Sequence, residues 1–300
     1  MRSLFVTGAT GFVGRHFVRS LNPAEFRITC LQRTRRASAP DDSGIRWVEG
    51  DLRQPESYTA ALAQCDTVVH LAAVTGRANR EDFLAVNADG TRALLTACAR
   101  LDVRDVLLVS TIAVKYPDKR LYPYAESKEI AEAALRQSGL QFTIIRPTIV
   151  IGQGAPIWQR LADLASRRMI VLPGDGRARI QPIHVDDVVA CLVGLLRRGA
   201  FARETYELGG PEVVPFEEFL RQIHRVRSGR DPAVIHLPLR PIVALLSLLE
   251  RGLGATLPVT AGQLSAFAID STADPGLACP VAPGRPMSID AMIRRCLVDA

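Results

Sequence analysis

In the first half of the chain, apolar residues fall in short continuous runs. "RSLFVT" from Arg2, "FRITCL" from Phe26, "IRWVEGD" from Ile45, "DTVVHLAA" from Asp66, "DVLLVST" from Asp105 and "QFTIIRP" from Gln141 are such runs. A strand with one wet face alternates apolar and polar residues. A strand apolar at successive positions is buried on both faces, as in a parallel sheet covered by helices. The intervening stretches repeat at helical spacing. Phe12 to Leu21 reads as one helix, Asp82 to Arg100 as a long second one with Leu84, Leu94, Leu95 and Cys98 on its apolar side, and the segment through Tyr124 as a third. Alternation of this kind predicts an α/β fold with a doubly wound parallel sheet.

After "RPTIVIGQG" from Arg146 the rhythm changes and Pro and Gly become frequent. Helices are expected from about Pro156 to Arg168, after "PIHVDD", from about Pro215 to Arg227 and near Pro241, with a strand at "TYELGG". The expected organisation is a dinucleotide-binding domain over residues 1–150, its sheet completed by parts of 178–210, and a smaller C-terminal lobe, mainly substrate-binding, over 151–300. In that lobe Ile242, Val243, Leu245, Leu246, Leu248 and Leu249 surround almost the whole of one helix. Burial in the lobe's core is the first expectation for such a helix; a pocket wall, a membrane surface or a partner are the alternatives.

Composition narrows the class. Apolar residues are 48% and charged residues 23%, the values of a soluble globular protein. The chain opens on a strand, without a basic leader and apolar run, and its longest apolar stretch is too short to span a bilayer, so a cytoplasmic location is expected. The net charge is +6, carried almost wholly by arginine; Lys115, Lys119 and Lys128 are the lysines. The arginines are scattered and no aromatic residues interleave with them, which argues against a nucleic-acid partner and leaves a small-molecule substrate, acidic ones included. The six cysteines form no Cys-x-x-Cys pair and sit at no metal-ligand spacing from His, so buried free thiols and no metal are expected.

"TGATGFVG" follows the first strand and opens the first helix. Gly8 permits a tight turn, Gly11 a close approach of the backbone to a pyrophosphate, and Gly14 close packing of the helix on the sheet. The helix N-terminus then offers free N–H groups and a favourable dipole to the anion. In this context the loop predicts a dinucleotide site on a Rossmann-type sheet. At the end of the second strand stands Gln32, with no carboxylate to repel a 2′-phosphate; Arg33, Arg35 and Arg36 follow and could neutralise one. NADP(H) is therefore favoured over NAD(H). Asp51, at the end of the third strand, is either an acceptor for the adenine amino group or a turn-capping residue.

With "TGATGFVG", "GDL", "HLAA", "VNADGT", "VST" and "YAESK" in that order, the chain resembles the short-chain dehydrogenases/reductases. It is most similar to their extended branch, the NAD-dependent epimerase/dehydratase family with its 3β-hydroxysteroid dehydrogenase-like members. The resemblance covers roughly residues 1–210. It implies that Tyr124 is the general acid/base, Lys128 its partner and Thr111 the hydroxyl that orients the substrate oxygen, with Ser110 the alternative to Thr111. It implies cofactor contacts at Gly8, Thr10, Gly11, Phe12, Val13, Gln32, Arg33, Arg36, Asp51, Leu52, Leu71, Ala72, Ala73, Asn87, Lys128, Pro147 and Thr148. The spacing of Tyr124 and Lys128 has its own physical sense: positions i and i+4 share a helix face, and an ammonium beside a phenol lowers its pKa from about 10.

The chain departs from the family's pattern in two places. "VKYP" stands where Val-Tyr-Gly is common, and no Asn follows "IIRP" as in sugar-nucleotide epimerases. The leading expectation is hydride transfer between a nicotinamide and an alcohol/ketone pair, with room for a lipophilic substrate. The alternatives are a sugar-nucleotide epimerase/dehydratase and a non-catalytic dinucleotide-binding subunit; a homodimer is compatible with each.

Overall fold

A computed structural model describes residues 1–34, 44–199, 201–253, 257, 260–281 and 284–298. They form two compact units, and each is built from several stretches of chain. The first comprises Met1–Val114, Tyr124–Arg146 and Leu192–Tyr206; the second comprises Lys115–Pro123, Pro147–Cys191 and Glu207–Ala300.

The expected runs are strands. They are β1 (Arg2–Thr7), β2 (Phe26–Gln32), β3 (Ile45–Glu49), β4 (Thr67–His70), β5 (Asp105–Val109) and β6 (Gln141–Pro147). They pair in parallel in the order β6-β5-β4-β1-β2-β3, with Val6 opposite Cys30 on one side and Val69 on the other. A seventh strand, Glu204–Leu208, lies beyond β6. The reversal of strand order between β1 and β4 is the switch point of a doubly wound α/β fold, where ligands gather at the carboxyl ends of the strands. Leu4 to Thr7 are all buried, as an unbroken apolar run requires. One core cluster packs Phe5, Val68 and Leu108 from the strands against Leu62, Leu94 and Cys98 from the helices.

Helix α1 is Phe12–Ser20, α2 is Thr59–Leu62, α3 is Arg80–Phe83 and α4 is Gly90–Arg100. The helix expected over Asp82 to Arg100 is not continuous. A short α-helical turn, Arg80–Phe83, leads into a π-helical segment, Leu84–Asp89, before the regular helix Gly90–Arg100. The wide π turn lies at Asn87, which it buries. Single π turns of this kind often mark functional sites.

In the second unit two parallel strands, Met169–Pro173 and Ala233–Leu237, form a small ribbon that apolar periodicity did not announce. The helices Pro156–Ala165 and Phe216–Ser228 pack together, with His224 Nδ1 2.7 Å from the carbonyl of Ala165. Trp158 is buried in this core. His184 Nδ1 accepts the Asp186 amide at 3.2 Å, so His184 caps the helix Val185–Arg198. All six cysteines are buried thiols outside disulfides. The apolar helix Leu239–Leu253 departs from core burial: Leu245, Leu248 and Leu249 are exposed. No described helix is long and apolar enough to cross a membrane.

Candidate active site

The glycine loop is shaped by backbone contacts that leave no room for side chains. Gly8 has φ +74°, and a Cβ there would lie 2.4 Å from the Ala72 nitrogen. The loop after β1 is thus pressed against the loop after β4. A Cβ on Gly14 would come within 2.1 Å of the Gly8 carbonyl oxygen, so this glycine seats the first turn of α1 on the loop itself rather than on the sheet. Gly11 is the N-cap of α1, with no side chain over the helix end. The amides of Phe12 and Val13 in this first turn have no intrahelical acceptor. Gly8, Thr10, Gly11, Phe12 and Val13 therefore form a bare, electropositive cradle that fits a pyrophosphate.

Around it the strand ends are cross-linked. Thr7 Oγ1 lies 2.6 Å from His70 Nδ1 and accepts the Ala72 amide at 3.3 Å; His70 Nε2 lies 2.9 Å from Thr91 Oγ1. Burial, with Lys128 adding to it, pushes His70 down to about 3, so this imidazole is a neutral structural link. Leu71, Ala72 and Ala73 follow, partly exposed. At the β2 end Gln32 is buried and its carbonyl accepts the Gly50 amide at 2.9 Å. Arg33 is exposed beside it, while Arg35 and Arg36 lie outside the described residues. Asp51 is held by Arg53, whose Nη2 donates to Oδ2 at 2.7 Å and whose amide donates to Oδ1 at 2.9 Å. The Arg53 hydrogen bond, against some desolvation and with Arg33 contributing, lowers Asp51 to about 2. Asp51 is thus a turn-capping carboxylate. Leu52 is buried, its carbonyl accepting from Tyr58 at 3.2 Å.

The helix α5 (Pro123–Gln137) carries the remaining groups. Tyr124 hydrogen bonds Thr111, and the Phe83 ring stands edge-on to it at 6.1 Å. Desolvation of the half-buried phenol raises Tyr124 to about 12, the Thr111 bond opposing. This corrects the expectation that Lys128 lowers the phenol's pKa: desolvation dominates here. Lys128 is itself buried and donates from Nζ to the Val109 carbonyl at 2.8 Å. Burial lowers it to about 8, with Glu132 opposing the fall.

Glu132 was not singled out in the sequence, although it stands four residues beyond Lys128 on the same face. It is buried and receives Arg146 at 2.9 Å and 2.6 Å, with Arg136 at 3.4 Å. Burial opposes its charge, yet Arg146 and Arg136 hold its carboxyl below the ordinary range. Asn87 acts from the other side. Its Oδ1 accepts the Val74 amide at 2.7 Å, and its Nδ2 donates to the Val74 carbonyl at 3.1 Å and to Ser127 Oγ at 3.0 Å. Ser127 in turn donates to the Tyr124 carbonyl at 2.8 Å. Both donors of Asn87 are thereby committed, one to the loop after β4 and one to α5.

Pro147 and Thr148 belong to the second unit, where both are buried. Thr148 receives no solvent-facing role there: its hydroxyl donates to the Gln181 carbonyl and its amide to that of Leu208. That unit also holds a cavity of about 770 Å³ lined in part by Arg177, Glu217, Arg221 and His236. Glu217 is already paired with Arg221 and His236, which leaves it a structural ion cluster. No group of acidic, His and Cys residues able to hold a metal occurs among the described residues.

Residues 4–209 match the NAD dependent epimerase/dehydratase family. A ceramide reductase of Caulobacter vibrioides is 32% identical over 235 residues, covering 78% of this chain and 73% of that protein. An N-acetylglucosaminyl-diphospho-undecaprenol 4-epimerase of Escherichia coli O157:H7 is 26% identical, covering 79% and 75%. Among solved structures, the Bordetella bronchiseptica enzyme WbmH in complex with NAD+ superimposes with a TM-score of 0.71 at 18% identity, covering 99% of this chain and 98% of that one. It shares the fold.

Proposed function

The chain belongs to the NAD-dependent epimerase/dehydratase family, the extended short-chain dehydrogenases/reductases, and on that premise we propose that it is a reductase of a lipophilic ketone, with Thr111, Tyr124 and Lys128 as its catalytic group. The observation that carries this reading is Tyr124, half-buried and hydrogen bonded to the Thr111 hydroxyl, on the helix that also buries Lys128. A bound nicotinamide would supply or accept the hydride. In the reductive direction Tyr124 gives its proton to the carbonyl oxygen as the carbon is reduced, and Thr111 donates a hydrogen bond to the developing alkoxide. Gly8 through Val13 hold the pyrophosphate. Lys128, charged below about 8, supplies positive potential to the site. Asn87 is a positioning residue, because its contacts act on α5.

Two further parts of the reading rest on fewer residues. NADP(H) is the preferred cofactor, supported by Gln32 in place of a carboxylate and by exposed Arg33 beside it. A lipophilic substrate is supported by the relatives, one acting on a ceramide and another on an undecaprenol-linked sugar. The second of these also favours an epimerase, which would use the same side chains around a cofactor it does not release.

The test is to purify the chain, identify any nucleotide that copurifies, and assay Tyr124→Phe on a panel of apolar ketones and nucleotide sugars. Turnover of an apolar ketone should fall by about 10²–10⁴ in the variant, with dinucleotide affinity kept. Activity within a few-fold of wild type would remove Tyr124 from the mechanism. Response to nucleotide sugars alone, with NAD retained through purification, would replace the reductase with the epimerase.

A further inference from the structure

The helix Leu239–Leu253 is apolar nearly all round, and one of its apolar faces is left open. Pro241, Ala244, Leu245, Leu248 and Leu249 recur at the spacing of one helix face, and all five are exposed. Leu245 is 58% and Leu248 62% accessible. The ribbon just before this helix repeats the feature. Its register sets Val171 beside Ile235. On that face Met169, Val171, Ile235 and Leu237 are all exposed, whereas Ile170 and Leu172 on the other face are buried. Seven of the eleven large apolar side chains exposed among the described residues therefore fall on one ribbon and the helix that continues it, separated by Pro238 alone. Scattered exposed leucines are ordinary, but seven large apolar side chains on consecutive elements mark a contact surface.

The charges flanking these residues point to the occupant. Arg167 and Arg168 precede Met169, Arg230 precedes the second ribbon strand, Arg177 follows the first, and Arg240 opens the helix. All five are exposed and none forms an ion pair among the described residues. Asp231 is taken up by Arg225, and Glu217 by Arg221 and His236. Asp163 and Asp175 stay outside ion pairs, which leaves the flanks with an excess of arginine. A second copy of the same face would bring arginine against arginine, whereas anionic headgroups complement it. At fifteen residues the helix is too short to span a bilayer, and its apolar stripe suits lying in the interface plane.

We propose that this face of the second unit docks the protein on an anionic membrane surface, the helix Leu239–Leu253 sinking its Leu245, Leu248 and Leu249 edge among the acyl chains. The docking does not depend on the reaction proposed above, although a membrane-resident substrate would be reached from such a position.

The experiment is flotation of the full chain with vesicles of phosphatidylcholine alone and of phosphatidylcholine mixed with phosphatidylglycerol. The wild type should float with the mixed vesicles and at least about tenfold less with the neutral ones. Leu245→Glu with Leu248→Glu should lower binding to mixed vesicles by about tenfold or more, and so should Val171→Glu with Ile235→Glu. Arg167→Gln with Arg168→Gln should lower it by about fivefold per residue on mixed vesicles only. All these positions are exposed, and an unchanged urea unfolding midpoint and circular dichroism spectrum show that each variant is folded. Absence of wild-type flotation, equal flotation on both vesicle types, or leucine variants that float like wild type would each overturn the proposal. So would a wild-type dimer that Leu245→Glu with Leu248→Glu converts to monomer while vesicles capture neither, since the face would then pair copies of the chain.

Discussion

Glu132→Gln is the substitution that reaches furthest into the site without touching it. Glu132 is buried, takes two short hydrogen bonds from Arg146, and raises the pKa of Lys128 against the effect of burial. Gln keeps the shape but not the charge, leaving the Arg146 guanidinium and the Lys128 ammonium without their counter-ion. Breaking a fully buried pair in this way costs ~3–5 kcal/mol, and because Arg146 retains some access to water the expected loss is nearer about 2–3 kcal/mol. The loss has two parts that pH separates. Lys128 is lowered from 10.5 to about 8, so between these values the unfolded chain holds a proton that the native one has shed. Stability therefore rises with pH across that window, and the cost of burying the ammonium is full below about 8 and gone above about 10.5. In Glu132→Gln the lysine falls further, so the part of the loss that runs through Lys128 should shrink as pH climbs towards 8 and vanish above it, while the part through Arg146 should stay. Urea denaturation of both proteins at neutral and at alkaline pH measures the two parts. A difference within about 0.5 kcal/mol at both would show that the pair contributes no more than an exposed ion pair, and the account of how Lys128 is kept charged would fail.

Three other outcomes follow from the same geometry. Gly8→Ala, whose Cβ would lie 2.4 Å from the Ala72 nitrogen at a φ of +74°, should destabilise by about 3 kcal/mol or more and abolish dinucleotide binding, read by thermal denaturation and cofactor titration. Acid should unfold the chain partly through His70: its folded pKa of about 3 lies below the ordinary 6.5, so the unfolded state gains the proton first and stability falls as pH drops from 6.5 towards 3, a limb that His70→Asn should flatten in urea midpoints. Arg33→Ser should weaken NADP(H) by about tenfold and leave NAD(H) unchanged by direct titration; an unaltered ratio would dismiss the loop after β2 as the discriminator.

What could be read in advance follows the range of the forces involved. Continuous apolar runs located β1, β2, β4, β5 and β6 because burial on both faces leaves its mark residue by residue, whereas β3 at the sheet edge has no fully buried residue. The glycine spacing marked the cradle because Gly8 and Gly14 answer to local backbone clashes. The π turn at Asn87 left no such mark: it depends on what Val74 and Ser127, thirteen and forty residues away, offer its side chain. The state of Tyr124 was misread for the same reason. Spacing puts an ammonium one turn away, but the phenol's pKa is set by surroundings that other elements supply. The exposed leucines of the last apolar helix mislead similarly, since composition cannot say which side of a helix the fold leaves open.

Tyr124, Lys128 and Glu132 form a single row along α5, and each depends on the next. An ammonium buried at Lys128 would shed its proton near neutrality were Glu132 not ionised beside it, and Glu132 stays ionised because Arg146 grips it. Asn87 fixes the same helix through Ser127 on its other flank, so the phenol is held from both sides before any ligand arrives. In that held state Tyr124 is raised to about 12 and keeps its proton at neutral pH. A protonated phenol hydrogen bonded to Thr111 is an acid in waiting, not a base. Giving a proton to a carbonyl oxygen uses the site as it stands. Taking one from an alcohol would first require the phenol to be emptied against the burial that raised it. The free protein thus holds Tyr124 in the protonated form that the proposed reduction would draw on.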